Sequence, residues 1–249
     1  MEQKAVQENK MGVMPVGKLV VTMSLPIIIS MLVQALYNIV DSVFVSMISQ
    51  EALNAVSLAF PAQNLMISLA AGTAVGVNAL MGRALGAKKQ QRADAVAMNG
   101  LFLALVGFAV CAVLGLTLSD FFFRSQTDVE EIIRMGNQYL MIVMGCSVGA
   151  FGQMMLERLL QGTGHSILSM YPQGAGAIIN IILDPIFIFV FDMGVAGAAV
   201  ATVIGQICAC IFALVLNIKK NPEIRLVFRG FRPNWRIIGS IYAIGLPSV

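Results

Sequence analysis

Two carboxylates lie in stretches that are otherwise hydrocarbon: Asp41 within QALYNIVDSVFVSMI and Asp184 within GAIINIILDPIFIFV. A charge at membrane depth costs about 2.5 to 3.5 kcal/mol on insertion scales, so a chain that keeps two of them is expected to use them. Asn180 stands one helical turn before Asp184 and shares its face. Pro185 follows Asp184 and has no N–H to give the carbonyl of Ile181, which leaves that oxygen open to an ion, a water or a neighbour. Carboxylate, carbonyl and hydroxyl oxygens bind hard cations such as Na⁺, and a carboxylate desolvated by burial can carry a proton instead.

The elements that must position these acids follow from composition. Of 249 residues, 58% are hydrophobic and 12% are charged, with a mean hydropathy of +0.83. Soluble domains carry roughly 25% charged residues, so the chain reads as a membrane protein. Runs free of Asp, Glu, Lys and Arg extend over Leu19–Val40, Ala52–Gly82, Ala95–Ser119, Met135–Leu156, Ser166–Leu183 and Met193–Ile218. Each is close to or beyond the roughly 20 residues that cross the hydrocarbon as a helix, which predicts six spans. The first run is too long for a signal-peptide core and is read as retained.

Basic residues set the orientation. Lys4, Lys10 and Lys18, then Arg83, Lys88, Lys89 and Arg92, then Arg158, then Lys219, Lys220, Arg225, Arg229, Arg232 and Arg236 fall on one side. Arg124 and Arg134, mixed with Asp120, Asp128, Glu130 and Glu131, fall on the other. The first side is therefore cytoplasmic, with the N-terminus and the segment after span six inside. The net charge of +3 has this membrane explanation, and no nucleic-acid partner is expected.

With that topology, Asp41 lies roughly 35 Å along span one and Asp184 roughly 28 Å along span five, both toward the outer side. Thr202 on the inward-running span six and Tyr139, two turns down span four, reach a similar depth. Gln206 lies one turn deeper than Thr202 on the same face. Asp41, Tyr139, Asn180, Asp184 and Thr202 are thus the candidate cation or proton coupling set. Taken singly, Asn180, Thr202 and Tyr139 would be polar glue between helices; their shared depth singles them out. Gln34, Tyr37 and Asn38 lie one to two turns below Asp41, with Gln34, Tyr37 and Asp41 on one face, and form a candidate substrate cavity wall. Pro26 is expected to loosen or kink span one.

The remaining chemistry-bearing residues have plainer readings. Cys111, Cys146, Cys208 and Cys210 sit in apolar runs with no CxxC and are read as small buried hydrophobes. His165 falls in the cytoplasmic turn QGTGHS, and Glu157 with Arg158 at the inner end of span four reads as an interface pair. No Gly-rich phosphate loop with Lys is present, so ATP is not expected to drive the protein directly. An integral membrane enzyme would need a His, Cys or multi-carboxylate constellation near headgroup level, and none is found. The chain is read as a non-enzyme without cofactors.

Residues 1–17 form a cytoplasmic tail, 18–218 the six-helix unit, and 219–240 a basic, amphipathic cytoplasmic connector in which Leu226, Val227, Phe228, Phe231 and Trp235 are interleaved with the charges. Residues 241–249 are apolar, too few to cross a bilayer, and are read as the truncated start of a seventh helix. There SIYAIGLPSV is similar to LVVTMSLPIII near the start, as a second copy of the unit would be. The chain is expected to be about half of a twelve-span protein.

These segments resemble the bacterial branch of the multidrug and toxic compound extrusion (MATE) family. The similarity is carried by LPIIISMLVQALYNIVDSVFVS, ALMGRALGAKK, GAIINIILDPIFIF and GVAGAAVATVIGQ, as the N-terminal lobe of that family. It implies an all-α, polytopic helix bundle: six transmembrane helices, the N-lobe of a two-lobe, twelve-helix transporter, plus the start of a seventh. It further implies secondary active efflux of amphipathic, often cationic, drug-like compounds by antiport with Na⁺ or H⁺ in the bacterial inner membrane. On this resemblance the cation site, Na⁺ if sodium-coupled, maps onto Asp41, Asn180, Asp184 and Thr202 with Tyr139 nearby, and helix-one bending maps onto Pro26. Membrane lipid, substrate and a second lobe are the implied partners. A flippase for lipid-linked saccharides of the same superfamily is the alternative; it would be expected to carry cavity-facing arginines, which these spans lack.

Overall fold

The computed structural model describes residues 14–227 and 231–248. Most of the N-terminal tail, Phe228 and Arg229 of the connector, and Val249 lie outside the described residues. The long apolar runs become helices because a backbone in hydrocarbon must satisfy its own hydrogen bonds. These are α1 (Val16–Ser46), α2 (Gln50–Gly86), α3 (Gln90–Arg124), α4 (Glu130–Gly145), α5 (Val148–Gly162), α6 (Ser166–Pro185), α7 (Gly194–Lys220) and α8 (Trp235–Gly245). Five helices are long and apolar enough to cross a membrane, α6 being taken with the π-helical turn that continues it to Val190. Six result if α4 and α5 are one span. That span breaks at Cys146 and Ser147, with a bend of 46° where the apolar run predicts a continuous helix. Cys146, at the break, is exposed rather than buried as expected; Cys111 is buried, Cys208 and Cys210 are half-buried, and all four are free.

The core is built around α2, which packs on α3, α4, α5 and α8, while α7 packs on α5 and α6. The stripe of Ala70, Gly72, Thr73, Ala74, Gly76 and Val77 is buried, as expected of small residues at helix interfaces. Helix α1 is different. It lies mainly along α6, and its buried residues are Pro26, Asp41 and Val45 alone; Val20, Leu25, Met31, Leu36 and Ile39 are all exposed apolar side chains. It runs as one helix through Pro26. The other proline has a visible consequence: after Pro185 the helix widens into a π segment, Ile186–Val190, closed by the Phe191 N–H donating to Ile186 O at 2.9 Å. A missing N–H shifts the ladder by one residue, which is the usual setting for such a bulge.

The connector is not a helix over 221–227 or 231–234. Asn234 caps α8 by accepting from Arg236 N and Ile237 N, so the last helix starts at Trp235 and the boundary drawn at 240/241 falls inside it. The connector is stitched to α3: Asp94 accepts from Arg225 N, Asn99 accepts from Asn234 N, and Phe231 packs on Phe102. Gly245 abuts Gly72, and Gly76 abuts Ile241, so closely that a Cβ on Gly245 or Gly76 would overlap a carbonyl of the other helix. Gly76→Leu is therefore expected to lift α8 off α2 at a cost of about 1–3 kcal/mol. The check is limited proteolysis in detergent, where trypsin should cut after Arg236 several-fold faster than in the parent.

Candidate functional site

Asp184 is 0% exposed, Asn180 3%, Tyr139 3% and Asp41 9%, so all four side chains are taken out of contact with the surroundings. Helices α1, α4, α6 and α7 each contribute. On α6 the single-turn spacing works as the sequence implies: Asn180 Nδ2 donates to Asp184 Oδ1 at 3.2 Å and to Thr202 Oγ1 of α7 at 3.3 Å. That bridge requires α6 and α7 to approach closely, which Gly176 and Gly205 permit. A Cβ on Gly205 would lie 2.9 Å from Gly176 O and 3.3 Å from Asn180 Cβ.

Asp41 reaches the cluster from α1, and its charge and that of Asp184 act on each other. Both also act on the hydroxyls of Tyr37 and Tyr139. Asn180, Asp184 and Thr202 are thus joined by hydrogen bonds, and the buried Asp41 and Tyr139 lie within electrostatic reach of them. Tyr139 is held there by Gln63 of α2, whose amide donates to the phenol oxygen at 3.0 Å. Sequence reasoning missed Gln63, although an amide within an apolar run is the same signal that picks out Asn180.

A small cavity of about 20 Å³, room for a water molecule, opens beside this cluster and is lined by Tyr37, Gln153, Gln173, Asn180, Thr202 and Gln206 among others. Of the candidate substrate wall, Tyr37 lines it; Gln34 is half-buried and Asn38 is exposed, neither facing this space. Gln153 and Gln173 were also missed. Glu157 corrects an expectation: it is not paired with Arg158. Gln153 Nε2 donates to Glu157 Oε1 and to Gln173 Oε1, each at 2.9 Å, while Arg158 turns to Gln161 Oε1 at 2.8 Å. His165 stays in its turn, with Nδ1 3.3 Å from Thr163 Oγ1.

The electrostatic character of the site is one-sided. Asp41 Oδ1, Asn180 Oδ1, Asp184 Oδ2 and Gln206 Oε1 are buried acceptors without a hydrogen-bond partner. Leaving such groups unpaired costs about 1–3 kcal/mol each, more for an ionised one. Only a species that donates or is positive can complete the set: a proton, a water or a cation. Among the described residues there is no group of three His, Cys, Asp or Glu side chains of the kind that holds a transition metal.

A polytopic helical membrane bundle with a buried acid pair between α1 and α6 defines the class of protein. The sequence profile of the MatE family matches residues 26–186, a span that includes both acids, and the chain belongs to that family. The Multidrug export protein MepA of Staphylococcus aureus (strain MRSA252) is 26% identical over 235 residues, covering 94% of this chain and 52% of MepA. MepA of Staphylococcus saprophyticus is 25% identical over 226 residues, 90% of this chain and 50% of that protein. A MOP superfamily transporter from Pyrococcus furiosus superposes with a TM-score of 0.88 at 33% identity, over 93% of this chain and 51% of the other. A MATE protein solved in a bent conformation gives a TM-score of 0.87 at 33% identity, again over 93% of this chain and 52% of its own. The chain thus spans about half the length of the curated relatives it matches.

Tyr139→Phe removes the acceptor for Gln63 and leaves a half-buried amide unpaired. It is expected to cost about 1 kcal/mol of stability, read from denaturation in mixed detergent micelles. Gln63→Leu in the Tyr139→Phe background should recover most of that loss.

Proposed function

We propose that the chain forms the ion-binding half of a secondary active multidrug efflux transporter of the bacterial inner membrane, its N-terminus cytoplasmic. It exports amphipathic, cationic or drug-like compounds in exchange for inward Na⁺ or H⁺. The observation that carries this reading is the set of four unpartnered acceptor oxygens around Asp41 and Asp184. A site so built is neutral only when it holds a positive species, and it loses that species at the cost of an uncompensated charge in a medium that solvates charge poorly. Uptake from the outer side and release to the inner side can then be exchanged against the binding of a second cation, the substrate.

Asp41 and Asp184 are the ion-carrying groups in this scheme. Asn180 holds Asp184 Oδ1 and Thr202 in place and presents its own carbonyl oxygen; Thr202 adds a hydroxyl, and Tyr139 closes the site on the α4 side. Pro26 is the point at which α1 bends as Asp41 changes occupancy, and Gln34, Tyr37 and Asn38 face the compound exported. Membrane lipid surrounds the exposed apolar face of α1, and a second six-helix lobe completes the cavity. That the staphylococcal relatives are multidrug export proteins supports the substrate class.

The test completes the chain with a second lobe and measures dye efflux from proteoliposomes under separate Na⁺ and H⁺ gradients. Asp41→Asn and Asp184→Asn are each expected to lower gradient-driven efflux at least tenfold, with substrate binding reduced far less. Parent-level efflux by both variants under both gradients would remove the coupling assignment.

A further inference from the structure

Glu157 is not needed by the outer site, yet the fold commits buried polar groups to it. Its carboxylate oxygen is bound by Gln153, itself buried, and the same amide nitrogen is bound to Gln173. Gln153 and Gln173 line the same small cavity as Asn180 and Thr202. Tyr37, in the same lining, feels the charges of Asp41, Asp184 and Glu157 together. Along the inward-running fourth span Glu157 is nearly five turns beyond Tyr139, and Gln173 on the outward-running α6 is about two turns inside Asn180. A polar path therefore leads from the outer acids to a third one at the inner side, through a space that admits a water.

We propose that Glu157 is a second ion-carrying station of this lobe, taking up the monovalent cation or proton that the Asp41/Asp184 pair gives up on its way inward. The inference rests on the coupling reading above and extends it. In the proton case an O–H bond on an Asp breaks as one forms on a Glu157 oxygen, relayed by water in the cavity. In the Na⁺ case the ion exchanges the oxygens of Asp184, Asn180 and Thr202 for those of Glu157, Gln173 and water. The charge moved is one in either case. The ionisable groups acting on Glu157 are Arg158 of its own helix, Tyr37 of α1 and Cys210 of α7. Arg158 donates to Gln161 and acts on the carboxylate through its charge, without a direct ion pair.

The test is infrared difference spectroscopy of the full chain in lipid nanodiscs, in two arms: a Na⁺ step at constant pH, and a pH step in Na⁺-free choline buffer. The expected result is a carboxyl band that responds in at least one arm and is lost in Glu157→Gln while the aspartate bands persist. The arm in which it responds identifies the ion. A second variant, Gln153→Met, keeps all three acids and severs the link; Asp184→Asn should shift the Glu157 band in the parent and fail to shift it in Gln153→Met. Aspartate bands that respond while Glu157→Gln leaves the spectrum unchanged overturn this proposal alone. A response that survives intact in Asp41→Asn and Asp184→Asn overturns it together with the coupling reading. A Glu157 band that answers only to an added organic cation makes the residue a substrate contact and likewise overturns the assignment.

Discussion

The constraint on which the rest of this structure depends is the cost of holding a carboxylate in a medium that solvates charge poorly. Helix α1 shows how strongly it acts. A helix of 31 residues, most of them apolar, buries Pro26, Asp41 and Val45 and leaves its leucines, isoleucines and other valines outside the core. Water would sort this helix the other way round. In a lipid environment the exposed apolar side chains cost nothing, and the one group that must be shielded is the acid; the rotation of α1 about its axis is set by Asp41.

Shielding an acid requires neighbours that come close, and closeness is supplied by residues with little side chain. Gly176 and Gly205 let α6 and α7 touch backbone to backbone, and only at that separation does the short amide of Asn180 reach Thr202 while it also holds Asp184. The small-residue runs that look like generic packing in the sequence are in this sense part of the site. Pro185 works from the other end. By withholding an N–H it forces the π turn from Ile186 to Val190, and Gly197 of α7 packs against that widened turn, where a Cβ would lie 2.7 Å from Phe187 O.

Properties that depend only on position along the chain were legible in the sequence. Apolar run length gives the spans, and polar residues interrupting the runs give Asp41, Asn180, Asp184, Thr202 and Tyr139, of which the fold joins Asn180, Asp184 and Thr202 by hydrogen bonds and buries Asp41 and Tyr139. Illegible were features set by contact between distant segments. Nothing local in MIVMGCSVGA distinguishes a straight helix from one bent at Cys146, because each half keeps helical propensity and the bend is decided by packing of α4 on α3 and of α5 on α7. Glu157 next to Arg158 invites a pairing by adjacency, yet neighbours in a helix point about 100° apart, and the partners lie about one turn away: Gln153 for the acid, Gln161 for the base. Gln63, Gln153 and Gln173 interrupt apolar runs just as Asn180 does, but none of them stands a turn away from a carboxylate that is itself inside such a run, and their role shows only once the helices are packed.

The distribution of burial also says which part of the bundle is held most by the site and least by everything else. Helices α2, α5 and α7 each carry a long series of buried apolar residues, so the loss of one polar contact is small against what keeps them in place. For α1 the balance differs: its neighbour is mainly α6, the helix that bears Asp184, and one of its three buried residues is the acid. The shielding of Asp41 from its surroundings is consequently a larger share of what positions α1 than any single polar residue is for α2, α5 or α7. A change of one charge in the pair alters that share at once, and α1 has little packing against the rest of the bundle to oppose its response.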